Sequence, residues 1–234
     1  GVLGKLRQQL ERALNRIISD EDLSRAISVY NRHKMQMRRL YELRKKHPPA
    51  VSGFEAWQVA FSATQMPKDR HAALLEDYLD RLGGDSREGT NGVRLFLSTG
   101  PLDSVDGAVL RVVEESGGQV VCDDMCFGTK SFWHLTDTER PPLEAIARRS
   151  LAVPCPRSTS DARIPERRWE YIKETAKGFD VQGAVFYSMK CCDARLAVYP
   201  HLAAKVKQEW RVPVIHLEGD HTVAGVEQMR ERIE

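Results

Sequence analysis

Carboxylates stand beside cysteines in two short stretches of this chain, Asp123-Asp124-Met125-Cys126 and Lys190-Cys191-Cys192-Asp193. A thiolate is a ligand for zinc or an iron–sulfur cluster, and neighbouring charges tune what it binds. Cys155, between Pro154 and Pro156, and the acidic Glu218-Gly219-Asp220 complete the chemically suggestive set. A cluster needs three or four thiolates at one point; Cys126, Cys155 and Cys192 are candidates for it. Cys191 and Cys192 are adjacent, so their side chains point apart and at most one faces a given pocket. Cys122 reads as a small core hydrophobe at the buried end of a strand. His216 reads as a core or interface histidine inside a strand.

Other chemistries find less support. The first strand–helix turn, Ser98-Thr99-Gly100-Pro101, has neither G-x-G-x-x-G nor G-x-x-x-x-G-K-S/T, which argues against nicotinamide or ATP sites. The chain lacks C-x-x-C, the thioredoxin-type redox spacing, and G-x-S-x-G, the esterase elbow. Its seven histidines show no H-x3-H or H-E-x-x-H spacing.

The elements that must position these residues follow from periodicity. Residues 1–90 read as a helical domain. Leu3, Leu6, Leu10, Leu14 and Ile17 form a stripe at helical spacing through residue 18. Ser19 or Asp20 caps a second helix to Lys46, where His47-Pro48-Pro49 stops it. The third helix runs from Ser52 to Ala63, and Pro67 opens a fourth at its first helical position, ending near Gly83-Gly84 before a turn-rich linker.

From residue 91 to 234 the pattern changes. Val93–Ser98, Gln119–Cys122, Gly183–Ser188 and Val212–Leu217 are apolar runs typical of buried parallel strands. Helical patterns at 105–116, 142–150, 165–177, 194–210 and 223–233 separate or follow them. The fold class is therefore α/β: a helical segment, then a small doubly wound domain with a mainly parallel four-stranded sheet. Ligands of such sheets bind beyond the carboxyl ends of the strands, where Asp124, Cys126, Lys190, Cys192 and Glu218 would gather.

Composition narrows the function classes. In 234 residues, 41% are hydrophobic and 29% charged, as in a folded globular chain. Thirty-five Lys and Arg against 33 Asp and Glu leave a net charge of +2, no electrostatic case for a nucleic-acid partner. No apolar run has membrane-spanning length and the first residues lack a secretory layout, so the expectation is a cytoplasmic protein with no membrane partner. Five cysteines, an odd number, do not suggest a disulfide framework.

Several stretches, in order along nearly the whole chain, resemble the 2-hydroxyacyl-CoA dehydratase and benzoyl-CoA reductase family. They include Glu21-Asp22-Leu23-Ser24-Arg25-Ala26-Ile27, Leu40-Tyr41-Glu42-Leu43-Arg44 and Ser52-Gly53-Phe54-Glu55-Ala56. The α/β part adds Gly117-Gly118-Gln119-Val120-Val121-Cys122-Asp123-Asp124-Met125-Cys126-Phe127-Gly128, Cys155-Pro156, Tyr187-Ser188-Met189-Lys190-Cys191-Cys192-Asp193 and Glu218-Gly219-Asp220. The resemblance implies an enzyme of anaerobes that binds an acyl-CoA beside a [4Fe–4S] cluster. An activator ATPase supplies one electron, and the resulting ketyl radical expels a hydroxyl that is otherwise a poor leaving group. In the reductases, related electron chemistry dearomatises a ring.

Carried over residue by residue, the resemblance makes Cys192 the favoured cluster ligand, with Cys126 a second candidate. The resemblance places Asp123, Asp124 and Cys126 near the pocket, and Asp124 and Glu218 are expected near the substrate. Lys190 is open to two readings, a group that steadies charge on the thioester or a cluster sulfide and a solvated lysine. Complete family members carry an N-terminal α/β domain that supplies further cluster cysteines, and this chain starts inside the helical middle. The expectation is a C-terminal portion that needs that domain, a homologous second subunit and the activator. By itself it is expected to be inactive and to hold no stable cluster. A non-catalytic scaffold and a corrinoid or flavin binder are the alternatives from other classes.

Overall fold

The computed structural model describes residues 1–84, 91–100, 107–154, 163–190, 193–219 and 223–233. The earliest elements are set by local capping. Helix α1 (Val2–Leu14) ends where Asn15 turns left-handed, and Glu11 accepts a hydrogen bond from the Ile18 N–H at 2.9 Å. The expected continuation to residue 18 is thus replaced by a capped turn. Helix α2 (Asp20–Glu42) opens with a reciprocal box in which the Ser19 hydroxyl accepts from the Asp22 N–H and Asp22 accepts from the Ser19 N–H. It tightens into a 3-10 turn at Leu43–Lys45 instead of running to residue 46. Helix α3 (Gly53–Ser62) repeats the box with Ser52 and Glu55. Helix α4 spans Lys68–Gly84, so Pro67 lies one place before the first helical residue, its carbonyl accepting from the His71 N–H.

The sheet contains β1 (Val93–Ser98), β2 (Gly118–Asp123), β3 (Gly183–Met189) and β4 (Val214–Gly219). Its order is β2-β1-β3-β4 and every pairing is parallel. Between strands lie α5 (Ala108–Glu115), α6 (Thr129–Phe132), α7 (Pro142–Ala152), α8 (Ile164–Ala176), α9 (Asp193–Leu196) and α10 (Tyr199–Lys205); α11 (Val223–Ile233) follows β4. The single helix expected over 194–210 is divided. Pro200 sits in the first turn of α10, where its missing N–H is tolerated, and Val206–Trp210 form a π turn.

Alternate residues of the central strands feed two cores. Phe96, Ala184 and Phe186 pack on one face with Met37, Leu40 and Tyr41 of α2 and Trp169 and Ile172 of α8. Leu97, Val185 and Tyr187 pack on the other with Val109, Leu110 and Val113 of α5. Every residue of β3 except Met189 is buried, as a parallel strand covered on both faces requires. The first core crosses from the N-terminal helices to the sheet. Buried Arg94 reinforces that junction, donating to the carbonyls of Arg44, Lys46 and Phe179 at 2.9–3.1 Å. No described helix is long and apolar enough to cross a membrane.

Candidate functional site at the carboxyl edge of the sheet

Parallel pairing places the carboxyl ends of all four strands along one edge. At the β2 end, Asp123 organises the turn into α6. Its Oδ1 accepts from the N–H groups of Met125 (3.0 Å) and Thr129 (3.1 Å), and its carbonyl accepts from the Thr129 hydroxyl at 2.7 Å. Oδ2 accepts from the Tyr41 phenol at 2.5 Å and lies 3.7 Å from the Arg44 guanidinium. Burial, followed by the Asp123 charge, holds the Tyr41 phenol well above its ordinary pKa, so it remains a donor. Gly128 is required here because a Cβ would sit 2.0 Å from Asp123 Oδ1.

Asp124 turns the other way. Its Oδ2 accepts from Arg168 Nε at 2.7 Å and from Nη2 at 2.5 Å, and Lys130 Nζ lies 3.5 Å off. Arg168 also reaches Ser98 Oγ at the end of β1, at 3.5 Å. Asp124, Arg168 and Lys130 are all buried, forming an ionic group beneath the edge. The carboxylate expected near the substrate is therefore held by two cations of this chain.

The clamped turn presents Cys126. This thiol is half-buried in the wall of a cavity of about 690 Å³ bounded by α2, α3 and α7, while the Phe127 ring packs edge-on against Phe61 of α3. Cys122 is fully buried, and burial pushes its thiol pKa up, so it stays a neutral core group. That agrees with its reading as a small hydrophobe.

Lys190 and Glu218 occupy the other half of the edge. Both are exposed, and the Lys190 N–H donates to the Gly219 carbonyl at 2.9 Å, so the two residues stand on neighbouring chain segments at this edge, Glu218 itself pairing with Ser188. The Glu218 carboxylate lies 3.8 Å from His216 Nδ1, and His216 stacks on Tyr199 with ring centroids 3.9 Å apart. Since β2 and β4 are the outer strands, Asp124 and Glu218 stand at opposite ends of the edge, about 14 Å apart by three strand spacings. Cys155, Cys191 and Cys192 lie outside the described residues.

Among the described residues, no group of three His, Cys, Asp or Glu side chains converges as a metal site would. One accessible thiol, Cys126, is too few for an iron–sulfur cluster, so the described residues alone do not fit that group. Sequence reasoning missed Arg168, Lys130, Tyr41 and Arg44, which fix the β2 turn. The adjacent Arg167-Arg168 on a helix otherwise read for its period was the available signal.

The sequence model of the family described as 2-hydroxyglutaryl-CoA dehydratase, D-component, matches residues 2–234. The chain is 28% identical over 228 residues to the (R)-phenyllactyl-CoA dehydratase beta subunit of Clostridium sporogenes, covering 97% of this chain and 59% of that protein. It is 22% identical over 230 residues to one of the benzoyl-CoA reductase subunits of Thauera aromatica, covering 98% and 59% respectively. Identity to the (R)-2-hydroxyglutaryl-CoA dehydratase beta subunit of Acidaminococcus fermentans is 23% over 231 residues, 96% of this chain and 57% of that one. The chain thus spans less than two thirds of the length of these relatives.

Proposed function

Because the chain belongs to the 2-hydroxyglutaryl-CoA dehydratase D-component family, we propose that it is part of a cytoplasmic enzyme subunit that removes water from a 2-hydroxyacyl-CoA by one-electron chemistry. The observation that carries this reading is the family match along residues 2–234. Ring reduction of an aromatic acyl-CoA is the second reading, favoured by the similarity to a benzoyl-CoA reductase subunit.

In this reading a [4Fe–4S] cluster, held together with thiolates beyond the described residues, would supply the single electron. Cys126, half-buried in the cavity wall, is one candidate donor, and Cys192 with thiolates from the rest of the subunit would complete the set. This chain's own residues bind and position. Lys190 and Glu218, both exposed at the ends of neighbouring strands, contact the acyl-CoA. Asp124 acts from beneath, its pairing with Arg168 and Lys130 holding the turn that carries Cys126. A homologous second subunit and an activator ATPase are the proposed partners.

The test is anaerobic production of this chain together with the N-terminal domain, the second subunit and the activator, followed by chromatography of the CoA esters. The expected product from a 2-hydroxyacyl-CoA is a 2-enoyl-CoA. A ring-reduced ester from benzoyl-CoA favours the second reading. An assembled, iron-loaded complex that makes neither product overturns both.

A further inference from the structure

The cavity beside Cys126 has a charge pattern that the packing of the fold does not require. Its walls are largely apolar, with Ile27, Met37 and Ile146 among them, yet Lys34, Lys68 and Arg149 also line it. Among the described lining residues there is no Asp or Glu. Lys34 is 5% exposed, and its ammonium donates to Thr136 Oγ1 at 3.2 Å without an ion pair among the described residues. Lys68 spends a donor on the Ala63 carbonyl. Arg149 donates to the carbonyls of Lys130 and Ser131, and its buried Nε has no hydrogen-bond acceptor among the described residues. Lys130, by contrast, is held at Asp124.

A buried ammonium facing apolar walls without a counter-ion is unfavourable, and hydrophobic replacement at such a place is commonly neutral or stabilising. Burial, and then the nearby charges of Arg149 and Arg38, bring the Lys34 pKa down to about 8. His33, on the same wall, stays neutral. The partner these cations lack among the described residues is an anion, and the apolar walls select one attached to a hydrocarbon body. A volume of about 690 Å³ lies in the range that holds a small organic ligand.

We infer that the cavity between α2, α3 and α7 binds a carboxylate with an apolar body, its acid group facing Lys34, Arg149 and Lys68. The inference does not depend on the reaction proposed above. Its ligand chemistry has two sources, a free carboxylic acid and the distal carboxylate of an acyl-CoA.

Calorimetric titration of the full chain tests it with two matched pairs: octanoate against octanamide, and adipoyl-CoA against hexanoyl-CoA. At least tenfold tighter binding of octanoate than octanamide, lost in Lys34→Met, identifies a free acid. The same preference confined to adipoyl-CoA over hexanoyl-CoA identifies the thioester's acid end. Lys34→Met is also expected to melt at a higher temperature than the parent, a combination that general damage to the fold would not produce. Lys68→Met serves as a second variant and should weaken the preferred carboxylate at least threefold. Equal binding within both pairs, or a preference unchanged in both variants, overturns the inference. Binding of both CoA esters without a carboxylate preference would leave the acyl-CoA reading standing while removing this one.

Discussion

The Tyr41 phenol donates to Asp123 Oδ2 at 2.5 Å, linking α2 to the end of β2 across 82 residues of chain. The link is buried, and the same carboxylate fixes the turn that carries Cys126. Tyr41→Phe keeps the edge-on contact with Phe132 but leaves the buried carboxylate short of a donor. The expected loss of stability is about 1–3 kcal/mol, read from urea unfolding followed by circular dichroism. A variant as stable as the parent would show that the hydrogen bond contributes little to joining the two parts.

Gly128→Ala tests the other side of the same carboxylate. A methyl group would be forced to within 2.0 Å of Asp123 Oδ1, where backbone or carboxylate must move. Displacement releases the bonds to Met125 and Thr129 together. Destabilisation of more than about 2 kcal/mol is expected, with a lowered thermal midpoint as the readout. Gly4→Ala, in helix α1 where the Cβ would meet nothing within 4 Å, is the control and should leave the midpoint unchanged or slightly raised.

Much of this architecture is legible in the sequence because it is local. The apolar run Val93–Ser98 is β1, and Ser19 and Ser52 are helix caps because serine followed three residues later by an acid satisfies both ends of the box. The ends of parallel strands must share an edge, so the grouping of Asp124, Lys190 and Glu218 at one edge also follows. Their lateral order does not. Strand order depends on crossovers, and it puts the strand that leads into Lys190 next to the strand of Glu218 and leaves Asp124 at the far margin. The Asp124–Arg168 pair spans 44 residues, and the basic cavity needs α2, α3 and α7 together, so beyond the doubled arginine at 167–168 neither can be read from one stretch of sequence.

That long-range pair makes a separate prediction. Asp124→Asn leaves the Arg168 guanidinium buried with a weakened partner, and Arg168→Met leaves the buried Asp124 carboxylate without its guanidinium and facing Lys130 at 3.5 Å. Each single change is expected to cost about 3–5 kcal/mol. The double change Asp124→Asn with Arg168→Met removes both charges and should be clearly more stable than the sum of the single effects. A double-mutant cycle in urea measures the coupling; simple additivity would show that the pair is not an energetic unit.

The two described thiols should differ in reactivity. Cys126 is half-buried in a cavity wall, whereas Cys122 is fully buried with its thiol pKa pushed up. Brief iodoacetamide treatment of the folded chain, followed by peptide mass spectrometry, is expected to modify Cys126 and spare Cys122. Equal labelling of the two would mean that the β2 end opens readily. Ligand occupancy of the cavity should slow the Cys126 reaction and leave Cys122 unchanged.

Acid sensitivity should begin at the imidazole pair between α2 and α4. His33 Nε2 lies 3.0 Å from His71 Nδ1, and His71 Nε2 lies 3.0 Å from the Val59 carbonyl. A carbonyl only accepts, so His71 carries its proton on Nε2 and receives the His33 N–H at Nδ1. A second proton on His71 would set two N–H groups against each other. Burial, and then the charges of His71, Lys68 and Lys34, lowers the His33 pKa from 6.5 to about 3, and burial lowers that of His71. In the unfolded chain both rings take protons as pH falls through about 6.5 while the folded pair resists, so the unfolded state binds more protons and stability drops with decreasing pH. The slope is at most about 1.4 kcal/mol per pH unit for each ring. His33→Gln retains a donor toward His71 but cannot titrate, so its urea midpoint should fall less steeply than the parent's between pH 7 and 5. Parallel slopes in the two proteins would place the acid sensitivity elsewhere.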